Sequence, residues 1–306
     1  MRYSNNTPEV VFFRHHKLIG KLCILFILMF ALLICWKTGM NHKAASSQFL
    51  DIPVTEEELQ EDFPYLSLTQ RDQETELTSS TDIDLSQIPE SYEIAMGGQF
   101  HLTGELRGTL FINAKDENVH LFLDNVSITS KSGPAIYCQN ADKLVITVMP
   151  GTENIVTDFG GYREEDEAES CIYSKCDMTL NGTGGLTING LYKDAIRSKD
   201  IVKILDGVYT IKCKRTGIHG NDGVLVAGGN ITVSSEKYGL KTTNFGSGGR
   251  GNMIISGGSL SIIAGRYAFV TTRADMLIYN CSISENSIID AYDIGGMLRV
   301  QEGCVQ

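Results

Sequence analysis

The sequence predicts an all-β chain built as a parallel β-helix with rungs of about 22 residues, preceded by one N-terminal transmembrane helix and a flexible linker. Three observations carry the β-helix. First, KDAIRSKD, RTGIHGND and KYGLKTTN repeat one pattern, with Ile196, Ile218 and Leu240 spaced 22 residues apart. Second, two short apolar–polar alternations split by Gly precede each later copy, as in IVKILDGVYTIKC and GVLVAGGNITVSS. Third, the composition of 31 Gly and 6 Pro in 306 residues, rich in Val, Ile and Thr, is that of strands joined by tight turns. Three short strands and their turns fill one such period. A leucine-rich repeat has a similar period, but its Leu/Asn signature is absent.

Along the chain, residues 1–17 read as a cytoplasmic tail and 18–37 as a signal anchor. Leu22 to Trp36 is an unbroken apolar run flanked by Lys21 and Lys37, with Arg14 and Lys17 upstream. That run is short for a bilayer span of about 20 residues. Counting from Leu18, with Lys21 snorkelling, brings it close. The basic upstream flank predicts a single-pass protein of the cell membrane with its C-terminal domain outside. A cleaved signal peptide, giving a secreted protein, is the competing reading. Residues 38–95 read as an acidic flexible linker. Residues 51–90 hold twelve acids against the single base Arg71, and they lack a sustained apolar period. The net charge of −11 thus belongs mainly to the linker. Residues 96–306 form the repeat domain, interrupted by an acidic insertion (158–170) and a Gly-rich one (245–252).

Stacked rungs lie about 4.8 Å apart, so equivalent residues should form files along the axis. Ile136, Ile172, Ile196, Ile218, Leu240 and Phe269 make an inward apolar file. One residue earlier stand Ala135, Cys171, Ala195, Gly217, Gly239 and Ala268, small enough for a sharp corner. Three residues before the apolar file stand Lys193, Arg215, Lys237 and Arg266. One residue after it stand Tyr137, Tyr173, Arg197, His219 and Lys241. Both sets are expected to face outward. They read either as a solubilising face or as a track for an anionic polymer, whose sugar rings would stack on the aromatics.

A polar column ends each motif, among it Asp177, Asp200 and Asp222, with Asp194 and Asn221 close in sequence. Carboxylates about 5 Å apart repel by roughly 3 kcal/mol at an effective dielectric near 20. Either each Asp serves its own turn, or a cation compensates; Ca²⁺ prefers such oxygen ligands. The six cysteines beyond the apolar run lack metal-ligand spacing, and no nucleophile–base signature is present.

ADKLVITVMPGTENIVTDF, CIYSKCDMTLNGTGGLTING, LYKDAIRSKD and RTGIHGND resemble a family of bacterial cell-surface carbohydrate-binding domain-containing proteins. That resemblance implies a right-handed parallel β-helix similar to polysaccharide lyases, calcium on the coils, and affinity for plant polysaccharides such as cellulose and pectic acid. The family's D-G-I motif keeps Asp194 here, while Thr216 and Tyr238 stand in the Asp place of the next two copies. Calcium is therefore expected around Asp177, Asp194 and Asp200.

The expectation is a monomeric, membrane-anchored binder of acidic or plant-type polysaccharide, assisted by calcium, with no nucleic-acid partner. A calcium-dependent lyase using Arg197 or Lys199 as base is one alternative. A structural stalk or adhesin with no sugar site is another.

Overall fold

Short alternating segments separated by Gly-containing turns form strands that pair in parallel with the equivalent segment one repeat away, except that Gln48–Phe49 pairs with Leu298–Val300. In this computed structural model the described residues are 48–49, 61–159, 162, 168–244 and 247–306. Each rung contributes three strands, illustrated by Asp194–Ser198, Ile201–Ile204 and Val208–Cys213. Strands of the first kind form a nine-stranded sheet from Tyr92–Ile94 to Asp290–Ile294. The second and third kinds form two ladders joined into one 17-stranded sheet.

The join is made by the long strands Gly98–Leu106 and Asn118–Thr129. Their register shifts between Thr103 and Gly104, where Thr103 pairs with Asp124 and Gly104 with Val126. Asn125, with φ of 54°, is the extra residue. Such a bulge bends the strand from one face of the stack to the next.

The predicted files are present. Ile136, Ile172, Ile196, Ile218, Leu240 and Phe269 pair in successive registers, and all are fully buried. The small-residue file beside them is buried too. A Cβ on Gly239 would stand 2.5 Å from the Ala268 carbonyl oxygen and 2.6 Å from Ile262, so this corner admits little more than hydrogen.

The fold and location expected from the sequence need correction. Instead of a right-handed β-helix led by a transmembrane helix, the described residues form an all-β stack of parallel strands in two sheets with few helices. The cytoplasmic tail and the anchor over 18–37 lie outside the described residues. Among those described, no helix is long and apolar enough to cross a membrane, so the membrane anchor and the single-pass location lose their support.

The segment from residue 61 onward, expected to belong to a solvated linker, instead packs on the stack. Ser80–Asp84 pairs with Gly98–Leu106, and Tyr92–Ile94 pairs with Leu110–Asn113, so rungs begin before residue 96. Residues 63–76 form a strap across the ladder that contains Ile201–Ile204. Phe63 and Leu66 close a second apolar cluster with Ile201, Leu225, Ile254, Leu277 and Tyr279. Outward apolar side chains at those positions break the inside–outside alternation, and the strap is what covers them. Asp72 caps the helical turn Gln70–Gln73 with Thr69 and is itself fully buried. Its carboxylate accepts from Lys143 Nζ at 2.8 Å, Lys203 Nζ at 3.1 Å and Thr179 Oγ1 at 2.6 Å.

Candidate functional site

The outer surface of the nine-stranded sheet carries the expected basic and aromatic files. Tyr137, Tyr173, Arg197, His219 and Lys241 are register partners on consecutive strands, so the one-residue offset from the apolar file does bring them together. Their environments differ. Tyr173 is fully buried, and it meets half-buried Tyr137 edge-on at 5.5 Å between centroids. That end of the file packs as aromatic core.

His219 is also buried. Its Nδ1 faces Asp194 Oδ2 at 3.2 Å and its Nε2 faces Thr243 Oγ1 at 3.0 Å. Burial holds the imidazole below its usual range against the pull of Asp194, which favours the neutral ring. Lys241 stays half-exposed at 4.6 Å from the Tyr238 ring centroid, and burial lowers its affinity for a proton.

The neighbouring basic file runs through turns. Arg215 N donates to the Lys193 carbonyl at 2.8 Å and Arg266 N to the Lys237 carbonyl at 2.9 Å, which keeps these residues aligned. Lys237 and Arg266 are exposed. Lys193 and Arg215 instead converge on Glu169. Arg215 Nη1 lies 3.0 Å from Glu169 Oε2, Lys193 Nζ contacts Oε1, and Arg197 Nη1 stands 3.8 Å from Oε2. Burial opposes ionisation of Glu169, but the bonds from Lys193 and Arg215 outweigh it and hold the carboxyl below its usual range.

Glu169 was missed by sequence reasoning, which placed it in the acidic insertion. The signal was there, because Glu169 precedes Ile172 by three residues, as Lys193 precedes Ile196 and Arg215 precedes Ile218. It is the one acid in that file.

Tyr267 was missed as well. It is the register partner of Tyr238, and the two rings stack with centroids 6.4 Å apart and planes 11° apart. Both are half-buried, with Arg266 over the Tyr238 ring at 5.9 Å.

The residues assigned to calcium separate. Asp194 is fully buried and both its oxygens are engaged. Arg215 binds it through two nitrogens at 2.7 and 2.9 Å, and Thr216 N and His219 add to these. Burial raises its proton affinity, but the bonds from His219 and Arg215 outweigh that and hold it well below the carboxylate range. Asp177 leaves the expected column. It pairs with Lys143, and Met178 pairs with Val202, so it lies in the file of Ile201 rather than that of Asp200.

Asp222 accepts from Arg250 Nη1 at 2.5 Å, Asn221 Nδ2 at 2.7 Å and Asn244 Nδ2 at 2.8 Å. The Asn221 side-chain Oδ1 lies 2.8 Å from Thr243 Oγ1. Asp200 has its proton affinity raised by burial and by the charges of Asp177 and Asp222. Among the described residues, no group of three or more His, Cys, Asp and Glu side chains is placed to hold a metal ion. Protein cations and amides already compensate Asp194 and Asp222, so these two carboxylates do not fit calcium as expected.

The face resolves into a braced centre and an open flank. Around the centre, the cations Lys193, Arg197, Arg215 and Lys241 outnumber the carboxylates Glu169 and Asp194, with the charge of Asp293 also acting on Lys241. The flank presents Tyr238, Tyr267 and Lys241 to solvent. Such a surface attracts anions and exposes aromatic surface beside the cations.

Comparison with known proteins gives a consistent picture. A carbohydrate-binding domain-containing protein of Acetivibrio thermocellus is 35% identical over 102 residues, 32% of this chain and 36% of that protein. The match thus spans about a third of that relative. The solved structure of a polysaccharide lyase-like protein from C. thermocellum, a gadolinium derivative, superposes with a TM-score of 0.70 at 28% identity, covering 74% of this chain and 98% of that one. The family model of carbohydrate-binding domain-containing proteins matches residues 89–290, which takes in every rung that builds the face. By that match over most of its length, the chain belongs to the carbohydrate-binding domain-containing protein family.

Proposed function

We propose that the chain binds polysaccharide on the outer face of the nine-stranded sheet, with the stacked rings of Tyr238 and Tyr267 as the sugar platform and Lys241 beside them as the contact for acidic groups. The observation that carries this reading is the pairing of two half-exposed, nearly parallel tyrosines on adjacent rungs, flanked by Lys241 and Arg266. Membership in a carbohydrate-binding family supports it. Buried tyrosines such as Tyr173 take no part, and His219 and Arg215 serve as the brace beneath. The excess of positive charge favours uronate-bearing polymers over neutral ones.

The test is affinity electrophoresis or titration calorimetry with polygalacturonate, methyl-esterified pectin and cellulose. Truncating an aromatic anchor costs more than about 1 kcal/mol, and about 1.4 kcal/mol is tenfold in affinity. Tyr238→Ala should therefore weaken binding about tenfold while leaving the melting curve in place. Binding that survives the loss of both tyrosines would refute the platform. Unsaturated product appearing in the ultraviolet would instead favour the lyase alternative.

A further inference from the structure

We infer that Glu169 is a resident competitor for acidic ligands: it fills the cationic nest on this face and so sets how strongly the chain prefers uronate polymers over neutral ones. This rests on the polysaccharide-binding reading above.

Two carboxylates on this face differ in their access to water. Asp194 is sealed, with Arg215 gripping it bidentately and His219 beside it. It behaves as a structural brace. Glu169 keeps 17% of its side chain exposed, and the cations around it keep 31% (Lys193), 21% (Arg197) and 26% (Arg215). Water reaches this nest, in contrast to the sealed carboxylate of Asp194.

Arg215 divides its donors. Nε and Nη2 serve Asp194 and Nη1 serves Glu169, so the second carboxylate can be exchanged without loosening the first. Arg197 supports the same view. Its Nη1 stands 3.8 Å from Glu169, beyond hydrogen-bond reach, and its buried Nε has no hydrogen-bond partner among the described residues.

Geometry then links the nest to the platform. Arg197 shares its file with His219 and Lys241, and Lys241 lies against Tyr238. A chain of sugars lying on Tyr238 and Tyr267 and running toward the N-terminal rungs passes over Lys241 and arrives at Glu169. A uronate there offers the same planar carboxylate that Glu169 already supplies, and two like charges cannot share the nest without repulsion. Neutral sugars meet no such conflict.

The experiment compares wild type, Glu169→Gln and Glu169→Asp against polygalacturonate and methyl-esterified pectin at fixed ionic strength. Removing one competing charge at this range should tighten polygalacturonate binding about tenfold and steepen its loss with added salt. Binding of the esterified polymer should stay within about twofold, since it carries few charges to screen. Glu169→Asp, which keeps the charge but retracts it, should show a smaller gain of about threefold. That variant decides the matter if the Gln protein fails to fold.

Unchanged or weaker polygalacturonate binding by a folded variant would overturn the inference, because Glu169 would then only order the cations. That result leaves the polysaccharide reading standing. Failure of wild type and variants alike to bind either polymer overturns both.

Discussion

Replacing Asp72 with Asn should strongly destabilise the chain, although Asp72 lies far from the candidate site and in a segment that reads as linker. Its carboxylate is fully buried and accepts from two lysines, from Thr179 and from Thr69 N at 2.8 Å. The Lys143 and Lys203 side chains keep only 11% and 4% of their exposure. Neutralising Asp72 leaves two buried ammonium groups facing each other without an anion. Breaking a buried ion pair in this way costs about 3–5 kcal/mol. For a domain of this size each kcal/mol shifts Tm by about 2–4 °C, so a drop on the order of 10 °C is expected.

The pH dependence provides a second handle. Burial alone would raise the Asp72 pKa, but the bonds from Lys143, Thr179 and Thr69 and the Lys203 charge outweigh it and hold it well below the carboxylate range. A depressed carboxylate stabilises fully above its unfolded pKa of about 3.9 and loses that contribution as pH falls through the folded value. The gap between wild type and Asp72→Asn should therefore be constant near neutrality and close progressively below about pH 4. The assay is thermal melting followed by circular dichroism across pH, with Lys203→Met added to the Asn variant. Removing the second buried charge should restore part of the loss. A Tm within about 2 °C of wild type, with no narrowing in acid, would refute the reasoning.

Two further predictions test the stack itself. Burial, aided by the Arg71 charge, pushes the His120 pKa down to about 4. The ring is 3% exposed, packs on Phe122 at 4.1 Å between centroids, and meets Thr147 Oγ1 at 2.7 Å. A base with a depressed pKa stabilises fully above its unfolded value of about 6.5, and the contribution falls as pH drops toward the folded value. Stability should thus decline by up to about 3 kcal/mol between pH 6.5 and 4, and His120→Gln should flatten that limb in urea titrations. A variant with the same slope as wild type would count against it. Gly239→Val places methyl groups against the Ala268 carbonyl and Ile262 in a closed corner. Overpacking of this kind should cost about 3 kcal/mol in a urea melt, and a neutral result would mean the corner is looser than the contacts imply.

The sequence alone determined the parallel stacking and the composition of the files. A fixed 22-residue spacing brings the same position of each copy onto one line, and an apolar file is stable only if it points inward. Ile196, Ile218 and Leu240 are therefore legible without coordinates, and so is the outward file from Tyr137 to Lys241. Tertiary structure decided which members of that file remain available. Side-chain partners come from other rungs, so nothing in the local pattern says that Asp194 is sealed by Arg215 and His219; the offset from Ile172 gives the file of Glu169, but only the fold gives its bonds to Lys193 and Arg215. Periodicity also misplaced Asp177 by one residue, because register follows backbone pairing rather than the resemblance of motifs. The strap shows the same limit most plainly. Residues 63–76 are acidic and aperiodic, yet the outward apolar side chains of Ile201, Leu225, Ile254 and Leu277 and the buried lysines give them a surface to fold against. A segment with no apolar period of its own can be ordered by a surface provided elsewhere, and only the assembled stack provides it.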